Sequence, residues 1–265
     1  MYCQYDLYCQ YEWITEQLIS PEEMKNVVII GASGHGTMIL DCLEKEGKYA
    51  VVGFVDSFKR KRSYHNGYQI LGSENELPLL MDTFGIEGAI VAIGNNFTRK
   101  CMVDKVKNIA PSLCFISAIH PSAIIGKNVK IGAGSVIMPG AVVNANSKVG
   151  EFCIINTNSS LGHDGTMERF SSISSGARTG GNLKLGQFSA ISLGANVIEY
   201  ISIGEHSIIG AGSLVVKNVG ARSVVYGCPA RFIRNRSACD PYLKGDAILA
   251  EHSGIIVATE ANYPN

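Results

Sequence analysis

One feature limits the fold of this chain more than any other. From Ile119 to Val215 an aliphatic residue returns at every sixth position, and the register never slips. The series runs Ile119, Ile125, Ile131, Ile137, Val143, Val149, Ile155, Leu161, Met167, Ile173, Thr179, Leu185, Ile191, Val197, Ile203, Ile209, Val215, with Thr179 the one departure from aliphatic or Met. An α-helix repeats near 3.6 residues and a strand at 2, so neither element alone explains a period of six. Three hexads forming one turn of a parallel β-helix do explain it. The residue four places on is mostly small (Ser135, Ala141, Ser147, Cys153, Ser159), and the residue straight after is often glycine (Gly126, Gly132, Gly150, Gly162, Gly186). On this reading the large side chain fills a triangular interior, the small one lies under the wall, and glycine serves the corner dihedrals. Ile119, Ile137, Ile155, Ile173, Ile191 and Ile209 then stack in one column, each contributing about 1.5–3 kcal/mol on full burial.

The grammar before Ile119 is different. Val27–Ile30 is an apolar run ending in GASGHG (31–36), followed by a helix-like stretch at 37–46. Val51–Val55 reads as a strand ending at Asp56, and Ala89–Ile93 as a strand running into GNN. A helix over roughly 97–108 and the run LCFI at 113–116 complete the pattern. Strands alternating with helices predict a parallel sheet in a Rossmann-like α/β domain. The expected organisation is an extension at 1–25, the α/β domain at 26–117, the β-helix at 118–220, and a cap and tail at 221–265. The extension repeats YCQY and suggests a short helix around Glu12–Leu18, while GIIVAT at 254–259 is the strand-like run of the tail.

Composition excludes several classes. Lys+Arg and Asp+Glu balance at 23 each, so no global field draws nucleic acid or an anionic membrane. The apolar runs fall well short of the roughly 18 residues of a membrane span, and the N-terminus lacks the pattern of a signal peptide. Eight cysteines are scattered without a CxxC pair or metal-ligand spacing, which fits free thiols in a reducing compartment. A cytoplasmic protein without a metal is therefore expected.

Two places could carry chemistry. His163 and Asp164 occupy the outward third and fourth positions of their hexad, and stacking puts Ala145 and Gly181 above and below the imidazole. A solvated surface pair would satisfy the same pattern. A rigid wall with a groove beside a carboxylate-backed imidazole, however, suits a general base, the carboxylate orienting the ring and raising its basicity. The second place is the GASGHG turn, with Ser33, Gly34 and His35, where backbone N–H groups at a helix start can cradle phosphate. Asp56 and Gly94, at the ends of neighbouring strands, share that edge. A plain βα turn remains an alternative, because the spacing is GxxGxG rather than GxGxxG. The run KRKR (59–62) reads as a solvated loop, and His65, His120, His206 and His252 read as structural.

VVIIGASGHG, GFVD, VAIGNN, the hexads with NTNSSLGHD, and GCPAR together resemble the nucleotide-sugar N-acetyltransferases of the bacillosamine and perosamine type. The chain is also similar to the sialic acid O-acetyltransferases, and the resemblance spans roughly residues 26–234. It implies a left-handed β-helix that forms a homotrimer, with acetyl-CoA between neighbouring prisms and the nucleotide-sugar on the α/β domain. By the same resemblance His163 is the base, Asp164 its acidic partner, and Ser33, Gly34, His35, Asp56 and Gly94 substrate-binding positions. Gly181, Leu193 and Ala211 fall at coenzyme A contacts, with Lys217 near its phosphates. Ser172 stands where the family usually has a histidine against the acetyl carbonyl, which puts that contact in doubt. The leading expectation is N-acetylation of a nucleotide-linked amino sugar in surface-glycan synthesis. The alternatives are sugar O-acetylation, a nucleotide-sugar-binding protein with catalysis weakened at Ser172, and a nicotinamide-dependent oxidoreductase.

Overall fold

The computed structural model describes residues 24–243 apart from Cys239. The expected helix around Glu12–Leu18 and the expected strand at 254–259 lie outside the described residues.

The first unit is β1 (Lys25–Ile30), α1 (Gly34–Glu46), β2 (Tyr49–Val55), β3 (Tyr64–His65), β4 (Tyr68–Gly72), α2 (Leu77–Phe84), β5 (Ile86–Val91), α3 (Asn96–Ile109) and β6 (Cys114–Phe115). Its sheet has the order β3-β4-β2-β1-β5-β6, parallel throughout except for the β3–β4 pair. Val27 to Ile30 are fully buried, as a central parallel strand covered on both faces requires. Strand order reverses at β1, with β2 on one side and β5 on the other. The crevice between the carboxyl ends of β1 and β5 is therefore where such a sheet binds ligands. Three elements, β3, β4 and α2, are additions to the sequence reading. β3 and β4 form a hairpin around Asn66-Gly67, both at positive φ (47° and 82°), a pairing favoured in tight hairpins. α2 follows a capping box between Ser73 and Glu76 and carries proline in its first turn.

The second unit is a three-walled parallel β-helix. The first wall stacks Ala118–Ile119, Val136–Ile137, Ile154–Ile155, Ser172–Ile173, Ala190–Ile191 and Ile208–Ile209, and the hairpin Ser223–Gly227/Ala230–Asn235 extends it. The second wall runs from Ile124–Ile125 to Leu214–Val215, and the third from Lys130–Ile131 to Ser202–Ile203. Ile137, Ile155, Ile173, Ile191 and Ile209 are completely buried, as the hexad column requires. So are the small fifth-position residues, and Ser135, Ser147 and Ser189 each donate their hydroxyl to a carbonyl of the next coil at 2.7–2.9 Å. A buried hydroxyl with a partner carries little penalty there.

The role assigned to glycine needs correction. Positive φ falls at the fourth hexad position (Asn146, Phe152, Asn158, Asp164, Phe170), not at the residue after the aliphatic. That second position takes glycine because a Cβ on Gly126, Gly132 or Gly186 would lie 2.5–2.6 Å from the backbone of the next coil. Thr179, the break in the aliphatic series, also has a task. Its hydroxyl accepts from Gly162 N–H at 3.1 Å and donates to Ser160 C=O at 3.2 Å, one coil from His163.

The α/β unit sits on the first wall. Ala118, Val136 and Met138 merge with the core of α1, β1 and β5. At the corner between third and first walls, Phe152, Phe170, Phe188 and His206 stack in successive coils, with ring centroids 5.0, 5.4 and 4.6 Å apart. This ladder packs against Val103 and Val106 of α3. Beside it Arg99 is buried, its Nε–H bonded to Phe152 C=O, Nη1 to Ile93 and Gly94 C=O, and Nη2 to Asn96 Oδ1, all at 2.7–2.9 Å.

Candidate functional site

His163 lies in the turn between second and third walls, and its side chain is 63% exposed. Its Nδ1 is 2.7 Å from Asp164 Oδ2. Asp164 sits at the αL corner (φ 56°), a conformation that its short polar side chain tolerates. The bond to His163, with a smaller contribution from the Asn146 amide one coil earlier, holds the Asp164 carboxyl below the usual carboxylate range. Asp164 thus stays ionised through the neutral range and orients the ring, leaving Nε2 outward. Gly181 stacks directly beneath. A Cβ there would fall 2.4 Å from His163 Nε2 and 2.5 Å from Cε1. Gly181→Ala is therefore expected to swing the imidazole off Asp164, lowering turnover roughly tenfold or more without changing the far-ultraviolet circular dichroism. Steady-state kinetics on the folded variant checks this.

The strand edge is built differently on its two sides. At α1 the helix start is open: Ser33 makes no side-chain cap, no acidic residue occupies the first turn, and nothing lies within 4 Å of a Cβ placed on Gly34. That is a helix start with no side-chain cap among the described residues and a positive dipole end. Asp56 braces the turn from beneath, Oδ2 accepting from Ala32 N–H and Oδ1 from Phe58 N–H, both at 2.8 Å. His35 is half-buried, and its Nε2 is shut off from solvent without a hydrogen-bond partner among the described residues. Burial, with the Arg99 charge second, lowers its pKa to about 4.

This makes a stability prediction. His35 binds a proton near pH 6.5 when unfolded but only near 4 when folded, so the unfolded chain holds more protons between those values. Stability is then full above about pH 6.5 and declines as pH falls towards 4, by at most about 3 kcal/mol. Denaturant titrations across that window should show the slope in the wild type and a flatter profile in His35→Gln.

At α3 the helix start is closed. Asn95 Oδ1 accepts from Phe97 and Thr98 N–H at 3.0 Å, and Asn96 N–H donates to Tyr242 Oη at 3.0 Å. Gly94 C=O already accepts from Arg99. Of the sequence-predicted residues, Ser33, Gly34, His35, Asp56 and Gly94 thus share one sheet edge, while His163 and Gly181 share one prism corner. Lys217 lies on that same corner of the last coil, beside a cavity of about 430 Å³ that Arg231 and Phe232 also line. Leu193 and Ala211 lie on the corner between first and second walls, and both are exposed. Ser172 does not join His163 within the chain. It is buried on the first wall, where its hydroxyl accepts from Asn96 Nδ2 at 3.2 Å. The sequence reading places Gly94–Asn96 on this edge without giving Asn96 a role, and it missed Arg99 and Tyr242. GNN at a strand end was the signal for Asn96, and nothing local marked Tyr242. Among the described residues no group of His, Cys, Asp and Glu could hold a metal ion, and no helix is long and apolar enough to cross a membrane.

A Rossmann-like sheet joined to a hexapeptide prism with an exposed His–Asp pair defines the class of hexapeptide acyltransferases. Residues 26–106 match the PglD N-terminal domain family, and residues 122–157 match the bacterial transferase hexapeptide family (six repeats). The structure superposes on PerB from Caulobacter crescentus in complex with CoA and GDP-perosamine with a TM-score of 0.73, at 30% identity over 79% of this chain and 97% of that one. It superposes similarly on the acetyltransferase domain of PglB from Neisseria gonorrhoeae FA1090 in complex with acetyl coenzyme A (TM-score 0.71, 29% identity, 79% of this chain, 100% of that one). UDP-N-acetylbacillosamine N-acetyltransferase from Bacillus subtilis (strain 168) is 33% identical over 118 residues, 43% of this chain and 51% of that protein. The chain thus matches about half the length of that curated relative. It belongs to the nucleotide-sugar N-acetyltransferase family that pairs a PglD-type N-terminal domain with a left-handed hexapeptide β-helix.

Proposed function

We propose that this protein transfers the acetyl group of acetyl-CoA to the amino group of a nucleotide-linked amino sugar. The observation that carries the reading is the His163–Asp164 pair on the prism corner, with Gly181 leaving the ring face clear. In the proposed reaction His163 Nε2 takes one proton from the sugar amine as its nitrogen attacks the thioester carbonyl. Collapse of the tetrahedral oxyanion breaks the carbon–sulfur bond, and the thiolate leaves and is protonated. Asp164 holds the other ring nitrogen and stabilises the imidazolium. The open α1 start with Ser33, Gly34 and His35 is the proposed diphosphate position, with Asp56 shaping the loop rather than holding the ligand directly.

The proposed coenzyme A contacts also support a homotrimer. Gly181 and Lys217 share a corner with His163, but Leu193 and Ala211 occupy a different corner of the prism. One elongated ligand meets both sets most readily when two prisms lie side by side, the arrangement a closed three-fold assembly supplies. Light scattering at micromolar concentration is expected to give three times the chain mass, and a monomer would overturn the shared-cleft reading. Thiols at Cys42, Cys114, Cys153 and Cys228 support a reducing, cytoplasmic setting. Ser172 is read here as a contact that ties the prism to α3 through Asn96.

The test is a panel of nucleotide-linked amino sugars and their hydroxyl counterparts with acetyl-CoA, followed by release of free thiol. Turnover confined to amino sugars is the expected result. Transfer to hydroxyl sugars alone would replace N- by O-acetylation.

A further inference from the structure

The C-terminal segment returns to the crevice that the sheet reserves for ligands. Arg236, nearly buried, donates from Nη1 to His206 C=O at 2.9 Å, and its guanidinium lies 5.7 Å from the centre of the Tyr242 ring. The Tyr242 ring packs on Ala190, Ile208 and Val224, the stretch of first wall beyond Ser172. From there its hydroxyl reaches the GNN turn, accepting from Asn96 N–H at 3.0 Å and lying 3.5 Å from Gly94 C=O. Leu243 Cδ1 stands 3.4 Å from where a side chain on Gly94 would begin. These contacts close the start of α3, immediately beside the β1–β5 crevice, whereas the start of α1 across that crevice stays open. A tail meant only to cover apolar wall would have no need of a phenol bonded to a helix N-terminus.

We propose that Tyr242 is a self-supplied latch on the nucleotide-sugar site, its phenol holding the α3 N–H group that substrate claims on entry. The inference rests on the reading of this edge as the nucleotide-sugar site. Substrate and latch then compete, so weakening the latch strengthens nucleotide binding. Tyr242→Phe keeps the ring packed on the wall and removes only the hydroxyl, while Tyr242→Ala removes both.

The experiment is calorimetric titration of the full-length wild type, both variants and His163→Ala with UDP and with GDP as probes. Whichever nucleotide binds should bind Tyr242→Phe about fivefold tighter, the worth of one ordinary hydrogen bond, and Tyr242→Ala at least as tightly. In the wild type the same nucleotide should speed tryptic cleavage after Arg236, because the segment lifts away. Weaker or unchanged binding in Tyr242→Phe, or protection of Arg236 by nucleotide, would overturn the latch. Absence of binding by all four proteins would overturn the latch and the nucleotide site together. His163→Ala separates the outcomes: it should bind nucleotide like the wild type, so loss of the latch leaves the assignment of the base intact.

Discussion

Replacing His163 with alanine is expected to lower acetyl transfer by about 10²–10⁴-fold, with nucleotide binding and fold retained. The size of the effect follows from what remains. Without the imidazole, only water can accept the amine proton, and the neighbouring carboxylate faces the ring position rather than the open cleft. Fold is spared because the side chain is 63% exposed and, among the described residues, meets only the Asp164 carboxylate and the Gly181 backbone at the corner of the prism. Asp164→Asn should fall between the two, since the amide keeps the shape of the corner but no longer stabilises an imidazolium. Measured turnover across a range of pH separates these cases. His163→Ala should stay low at every pH tested, whereas Asp164→Asn should keep an intermediate level of turnover. Turnover of His163→Ala within threefold of wild type would remove His163 from the mechanism.

How much of this was legible in the sequence depends on the range of the interaction. The prism was readable because its period is enforced by local geometry: each aliphatic residue meets its equivalent 18 residues on, and nothing can slip without exposing a column of isoleucine. The outward placement of His163 and Asp164 was readable for the same reason, since it and the small neighbours Ala145 and Gly181 follow from counting. The reason for the hexad glycines was misread because a sequence shows which residue recurs but not whether dihedral angle or close approach demands it. Asp56 shows a different limit. Its place at a strand end was predicted, but its carboxylate ties Ala32 N–H of the GASGHG turn to Phe58 N–H of its own loop, a use that only coordinates separate from ligand contact. Phe152, Phe170 and Phe188 were visible at their 18-residue spacing, but at outward positions they carry no sign of the helix that covers them. Tyr242 is the extreme case. It meets Asn96 across 146 positions of chain, and no periodic signal crosses that gap.

The second large effect concerns Arg99, a buried guanidinium with no carboxylate partner among the described residues. Burial lowers its pKa by disfavouring the charged form, yet an arginine stays protonated, so the charge is compensated by oriented carbonyls instead. Its bonds reach Ile93 and Gly94 of the strand-end turn, Asn96 of α3, and Phe152 of the aromatic ladder, so one side chain joins sheet edge, helix and prism. Arg99→Met has similar bulk but deprives four acceptors of their donor, two of them buried and two part-buried. Among the described residues only Gly94 C=O keeps a contact, to the Tyr242 hydroxyl, and each loss costs about 1–3 kcal/mol less whatever water can enter. A net loss of about 4 kcal/mol is expected, which for units of this size lowers the apparent Tm by about 10 °C. Arg99→Lys should recover little, because an ammonium on a flexible stem cannot address acceptors arranged around a planar fork. Differential scanning calorimetry decides it: a shift of under 2 °C in Arg99→Met would mean that the α/β unit is held to the prism by apolar packing alone, with the guanidinium as a passenger.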